Sequence, residues 1–152
     1  MRALRVGDAA AVVAVIHDAF AAQPVATDPP PGALRETADS VAAHLAGHGG
    51  AGVDADGVLA GVTLWAERDG GLYLGRLAVR PAWRGRAVAR ALVMAAEADA
   101  RQRGLPRVHV GVRLALADNR RLFASCGFRE GAVSCHPGYS EPTTVAMEKW
   151  LT

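Results

Sequence analysis

Cysteine, lysine and aromatic side chains are all scarce in this chain, and each scarcity excludes a class of protein. Two cysteines, Cys126 and Cys135, are too few for a disulfide framework and lack metal-ligand spacing, so no metal site is expected. Lys149 is the sole lysine, and arginine carries the basic charge to a formal net charge of +2. That excess is too small to argue for a polyanion or an anionic membrane surface, so clustered arginines point to local phosphate pockets. A nucleic-acid binder would rest on those clusters alone, and a G+C-rich genome accounts for much of the Arg, Ala and Gly content. No apolar run approaches the roughly 18 residues of a membrane span, and charge with Gly7-Asp8 interrupts any signal-peptide pattern. A cytoplasmic protein is the expectation. At 152 residues, 51% hydrophobic and 21% charged, residues 1–152 are expected to form one domain with a substantial core.

What is present is organised around Leu72 to Arg103. The apolar run LYLGRLAV reaches Arg80-Pro81, turns through Trp83-Arg84-Gly85-Arg86, and enters an Ala-rich helix over Gly85 to Arg103. The first N–H groups of a helix lack intrahelical partners and sit at the positive end of its dipole, so this joint is a candidate phosphate site at residues 84 to 89. The other reading is an ordinary strand–turn–helix with a solvated basic loop. Val88, Ala91, Leu92, Ala95 and Ala98 or Asp99 form the expected buried stripe, and Gly104 with Pro106 stops the helix.

Before this stretch, Arg2 to Val6 alternates as a strand, and Asp8 caps a helix bearing Val12, Val13, Ile16 and Phe20 on one face. Gln23 to Gly32 holds Pro24, Pro29, Pro30 and Pro31 and reads as a loop of the kind that shapes substrate sites. A weaker helix covers Leu34 to Ala46. Gly50 to Val53 and Val58 to Glu67 form a hairpin across Asp54-Ala55-Asp56-Gly57, and Asp69-Gly70-Gly71 turns into the strand Leu72 to Val79. After the long helix, Val108 to Val112 is a strand that the helical crossover places parallel to its predecessor. A short helix over Asn119 to Cys126, a strand over Phe128 to Ser134, the loop Cys135 to Pro142 and a final strand over Thr144 to Trp150 complete the chain. The order predicts an α/β fold with a mixed sheet and one central crossover.

This order, together with LAVRPAWRGRAVARAL at Leu77 to Leu92 and NRRLFASCGF at Asn119 to Phe128, resembles the GNAT superfamily of acyl-CoA-dependent N-acetyltransferases over essentially the whole chain. The first stretch is similar to the family's acetyl-CoA motif, Q/R-x-x-G-x-G/A, with Arg84 as the Q/R and Ala89 as the last G/A. Ala87 stands where glycine is usual. The resemblance implies a largely antiparallel sheet of about seven strands with helices on both faces and a splayed central parallel pair. It implies acetyl-CoA as cosubstrate and a primary amine of a small molecule or peptide as acceptor, with direct attack in a ternary complex. Homodimers paired through the last strands are common among similar proteins.

The backbone of Gly85, Arg86, Ala87, Val88 and Ala89 would hold the pyrophosphate, with charge from Arg84 and Arg86. The resemblance also implies unpaired backbone groups at Leu77, Ala78 and Val79 that bind the pantetheine arm. Asn119 is either a contact to that arm or a helix cap beside Asp118. Ala87 is expected to cost steric room rather than backbone strain. Phe123, assigned to the cofactor site, stands where many members have a tyrosine that protonates the leaving thiolate. Tyr139 in the HPGY loop, with its rival reading as a loop anchor, is the first substitute; Ser125, Cys126 or a bound water are the others, or the thiolate leaves without protonation. Many members have a basic glutamate where this chain has Tyr73. Glu67, His109 and His136 are the alternatives, each with a structural reading beside it. Arg76 and Arg113 would attract an acidic substrate group or the cofactor, or face solvent. The competing reading, motivated by Ala87 and Phe123, is a non-catalytic acyl-CoA-binding module.

Overall fold

The computed structural model describes residues 1–23, 25–85 and 87–152. Its strands are β1 (Arg2–Ala3), β2 (Gly49–Ala55), β3 (Val58–Arg68), β4 (Gly71–Val79), β5 (Arg107–Arg113), β6 (Arg129–Ser134) and β7 (Thr144–Trp150), and its helices are α1 (Ala9–Ala21), α2 (Ala38–Gly47), α3 (Val88–Gln102) and α4 (Ala117–Ser125). They form one seven-stranded sheet in the order β1-β2-β3-β4-β5-β7-β6, antiparallel except between β4 and β5. The expected mixed, largely antiparallel sheet is what the chain adopts.

Local chemistry sets most boundaries. Asp56 and Gly57 stand at φ 50° and 79°, and Asp69 and Gly70 at 51° and 74°. Both hairpins therefore close on a two-residue Asp-Gly turn, the turn whose twist matches that of the strands. The first strand is shorter than Arg2 to Val6 because the Asp8 carboxylate accepts from the Arg5 amide at 2.8 Å and the chain turns at Val6–Asp8. Asp8 thus closes this turn and does not cap α1 through its side chain. The helix expected from Leu34 starts at Ala38, where Thr37 and Ser40 cap each other reciprocally at 2.9 and 3.1 Å; Leu34 lies in a separate 3-10 turn, Gly32–Arg35.

Two apolar clusters sandwich the sheet. One packs α1 and α2 against Leu59, Val62, Leu64 and Ala78. The other packs α3 and Phe123 of α4 against Leu72, Leu74, Val108, Val110 and Val112. The stripe on α3 is rotated from its expected place, with Val88, Leu92, Val93, Ala96 and Ala100 buried and Ala91 and Ala95 only half-buried. The rotation carries Glu97 inward, where it meets Lys149 at 2.6 Å. Gly61 lets α3 approach the sheet, since a Cβ there would lie 2.6 Å from Val88 Cγ1.

A bulge interrupts β4. Leu64 pairs with Gly75 and Val62 with Ala78, so Arg76 and Leu77 together oppose Thr63, and Arg76 takes φ 50°. Thr63, fully buried, donates its hydroxyl proton to the Gly75 carbonyl at 3.0 Å and fastens the bulge. Thr63→Val is expected to cost about 1 kcal/mol, because a half-buried carbonyl loses its side-chain partner. A urea midpoint unchanged at constant slope would show that the bulge does not depend on this bond.

Candidate active site

The parallel pair is joined only at Leu72↔Val108 and Tyr73↔His109. Beyond Tyr73, β4 continues to Val79 while β5 stays paired with β7 up to Arg113↔Thr144, so the facing edges of β4 and β5 separate. A cleft of about 1110 Å³ occupies the gap and continues beneath the proline-rich loop. Among the described residues its lining includes Leu77, Ala78, Val79, Arg84, Ala89, Asn119 and Phe123, and also Pro29 to Gly32, Arg35, Glu36, Arg68, Tyr73, Arg76 and His136.

The turn into α3 differs from its sequence reading. The helix starts at Val88, because Gly85 and Ala87 stand at φ 75° and 63°. Ala87 is therefore left-handed, and its departure from glycine costs conformational strain of about 1–2 kcal/mol rather than steric room alone. Arg84 turns its guanidinium away from this joint. It donates to the Ala19 and Ala22 carbonyls at 2.9 and 3.4 Å, satisfying the unpaired carbonyls that end α1. Val88 is buried beneath Gly61, leaving its backbone as the part available to a ligand. Arg86 lies outside the described residues, as does Pro24 of the proline-rich loop. Asn119 is the third residue of α4, whose N-cap is Leu116, so it does not cap the helix.

A search of curated protein sequences finds no match. The family model described as Acetyltransferase (GNAT) family matches residues 14–128. The chain belongs to the GNAT acetyltransferase family. Solved structures share its fold at low identity. The ribosomal-protein-S18-alanine N-acetyltransferase of Escherichia coli superposes with a TM-score of 0.78 at 17% identity, over 98% of this chain and 91% of that one. The PaiA N-acetyltransferase of Thermoplasma acidophilum, solved with coenzyme A, has a TM-score of 0.78 at 17% identity over 99% and 100%. YncA of Salmonella typhimurium, solved with acetyl-CoA, has a TM-score of 0.73 at 21% identity over 99% and 92%. The activity of this GNAT chain is acetyl transfer, with acetyl-CoA as donor.

Its residues fit that cosubstrate. The edge of β4 past Tyr73 offers backbone groups without a strand partner, and the left-handed turn leads into the amides that open α3. Among the described residues no helix is long and apolar enough to cross a membrane, and no group of three His, Cys, Asp or Glu could hold a metal ion.

The acid–base candidates separate clearly. Among the described residues the cleft lining includes Tyr73 and His136 but not Glu67, His109 or Tyr139. Glu67, at the exposed end of β3, pairs with Arg103 at 3.2 Å. His109 contacts the Arg68 carbonyl through Nε2 at 2.8 Å and Tyr73 edge-on at 5.3 Å; burial lowers its pKa. Tyr139 donates to Asp28 at 2.5 Å, which raises its pKa and ties the HPGY loop to the proline-rich loop. A phenol so held is a poorer proton donor, and its position is that of a loop anchor.

His136 is placed differently. Its backbone N–H donates to Thr143 Oγ1 at 3.1 Å, its Nδ1 contacts the same oxygen, and Thr143 Oγ1 donates to the Ser134 carbonyl at 3.5 Å. An Nδ1–H donating to Thr143 Oγ1 would leave Nε2 its lone pair. Burial, then the Arg113 charge, lowers the His136 pKa. Tyr73 was legible only as the place of a missing glutamate. Its hydroxyl reaches across the gap, 3.4 Å from where a Gly111 Cβ would stand, with the Arg68 guanidinium 4.5 Å from its ring centre.

Proposed function

We propose that residues 1–152 act as one N-acetyltransferase domain that modifies a primary amine of a small molecule or peptide within a ternary complex. The single observation that carries this reading is the continuous cleft from the opening of α3 to the proline-rich loop, created where β4 leaves β5. In this reading the amides of Gly85 to Ala89 hold the diphosphate, and the free edge at Leu77 to Val79 holds the pantetheine arm. Asn119 and Phe123 line the same cleft. Acetyl-CoA, when bound, supplies the thioester carbon to which the amine nitrogen bonds as the C–S bond breaks.

His136 Nε2 takes the proton that the amine must lose, in preference to Glu67 or His109. Tyr73 offers the cleft-facing hydroxyl that Phe123 lacks, and replaces Tyr139 as the donor to the departing sulfur. Both cysteines are free thiols, which suits a reducing cytoplasm. The sheet edge β6 is exposed along its length, which supports pairing of two copies through the last strands.

A thiol-release assay across a panel of amines, run beside calorimetry with acetyl-CoA, tests the reading. Release with at least one amine is the expected result. Acetyl-CoA binding without release on any amine would return the chain to the non-catalytic module that buried Phe123 favours.

A further inference from the structure

We infer that the acceptor is a small primary amine that also carries an anionic group, held by Arg35 and Arg76 beneath the proline-rich loop. This rests on the acetyl-transfer reading above and names its substrate class. The bulge at φ 50° brings Arg76 to Glu36, whose Oε1 accepts from Arg76 Nε at 3.2 Å and pairs with Nη2 at 3.1 Å. The other oxygen of Glu36 accepts from Ser40 at 2.6 Å, so this carboxylate is already engaged. Arg35 comes to the same place. A Cβ on Gly32 would lie 3.3 Å from Arg35 Nη2 and 3.5 Å from Arg76 Nη2, so both guanidinium tips flank one glycine.

Among the described residues Arg35 has no ion pair, and Gly32, Arg35, Glu36 and Arg76 all line the cleft. Arg68 adds a third positive charge over Tyr73. Arg113 is committed elsewhere, donating to the Pro29 and Pro30 carbonyls at 2.6 and 3.4 Å. Arg35 and Arg76 therefore share one engaged carboxylate, Glu36, and Arg68 lines the same cleft. Such a field repels a polyamine and draws in an amine whose far end is a carboxylate or phosphate, which a guanidinium fork binds through paired hydrogen bonds. The charge is not there for the diphosphate of the donor. In the reading above that group lies at the start of α3, a helix that packs on the opposite face of the sheet from α2.

The test uses the full chain with acetyl-CoA and matched acceptors: 4-aminobutyrate against its amide, phosphoethanolamine against ethanolamine, and spermidine. The anionic member of at least one pair is expected to exceed its neutral partner in kcat/KM by about 10- to 100-fold, the range of a hydrogen-bonded charge pair, and the larger ratio separates carboxylate from phosphate. Arg35→Gln is expected to reduce that ratio about 10-fold through KM rather than kcat, with partial recovery in Arg35→Lys. Preference for neutral amines or spermidine, or a ratio untouched by Arg35→Gln, overturns the anion subsite and leaves acetyl transfer standing. A chain that binds no acetyl-CoA by calorimetry overturns the underlying reading and this one with it.

Discussion

Replacing His136 with asparagine is expected to lower kcat/KM for the amine by about 10²- to 10⁴-fold, the usual contribution of a positioned base. Affinity for acetyl-CoA should stay unchanged. Asparagine is the informative substitute because its amide can still donate to Thr143 Oγ1 as Nδ1–H does, preserving the loop while removing the basic Nε2. The pH profile supplies the second readout. A base works only when unprotonated, so the rate falls as pH falls through its pKa. Burial and the Arg113 charge both disfavour the imidazolium and put this acid limb below the ordinary value of 6.5. A carboxamide does not titrate, so in His136→Asn the limb should vanish with the rate. An acid limb that survives the substitution unaltered, or a rate that does not change, removes His136 from the role.

The parts of this fold that were legible in the sequence are those set by neighbouring residues. Asp56-Gly57 and Asp69-Gly70 announced both hairpins because their backbone conformation is demanded by the turn itself. Gly104 and the Val108 run announced the crossover. What escaped depends on distant partners. The bulge at Arg76 is fixed by Thr63 on the neighbouring strand, and no local signal marks it. Tyr139 meets Asp28 across 111 residues and Arg113 meets Pro29 across 84, so the roles of both were unreadable from spacing. His109 does alternate onto the same face as Gly111 and Arg113, opposite the buried Val108, Val110 and Val112. Its Nε2, however, is taken by the Arg68 carbonyl. The Arg35–Glu36 pair was the missed signal: adjacent opposite charges directly after a proline-rich loop, on the rim of the cleft it shapes.

The turn into α3 carries the other large expected effect. Gly85→Glu is expected to weaken acetyl-CoA binding about 100-fold, since a unit charge a few ångströms from the diphosphate costs about 2–4 kcal/mol at an effective dielectric near 20. The penalty should shrink as salt is raised, because the site is open to solvent. Steric exclusion is not the cause, as nothing among the described residues lies within 4 Å of a Cβ built on Gly85. A backbone contribution does exist, because Gly85 stands at φ 75°, and Gly85→Ala isolates it: uncharged, it should lose thermal stability with a much smaller loss of affinity. Ala87→Gly moves the opposite way. Relief of a left-handed alanine should stabilise the fold by about 1 kcal/mol and raise the melting temperature by about 2–4 °C. The two alanine–glycine exchanges thus report the shape of the turn, while glutamate reports its ligand. If Gly85→Glu binds acetyl-CoA as tightly as the parent while the exchanges shift stability as expected, the turn is correctly described and the diphosphate lies elsewhere.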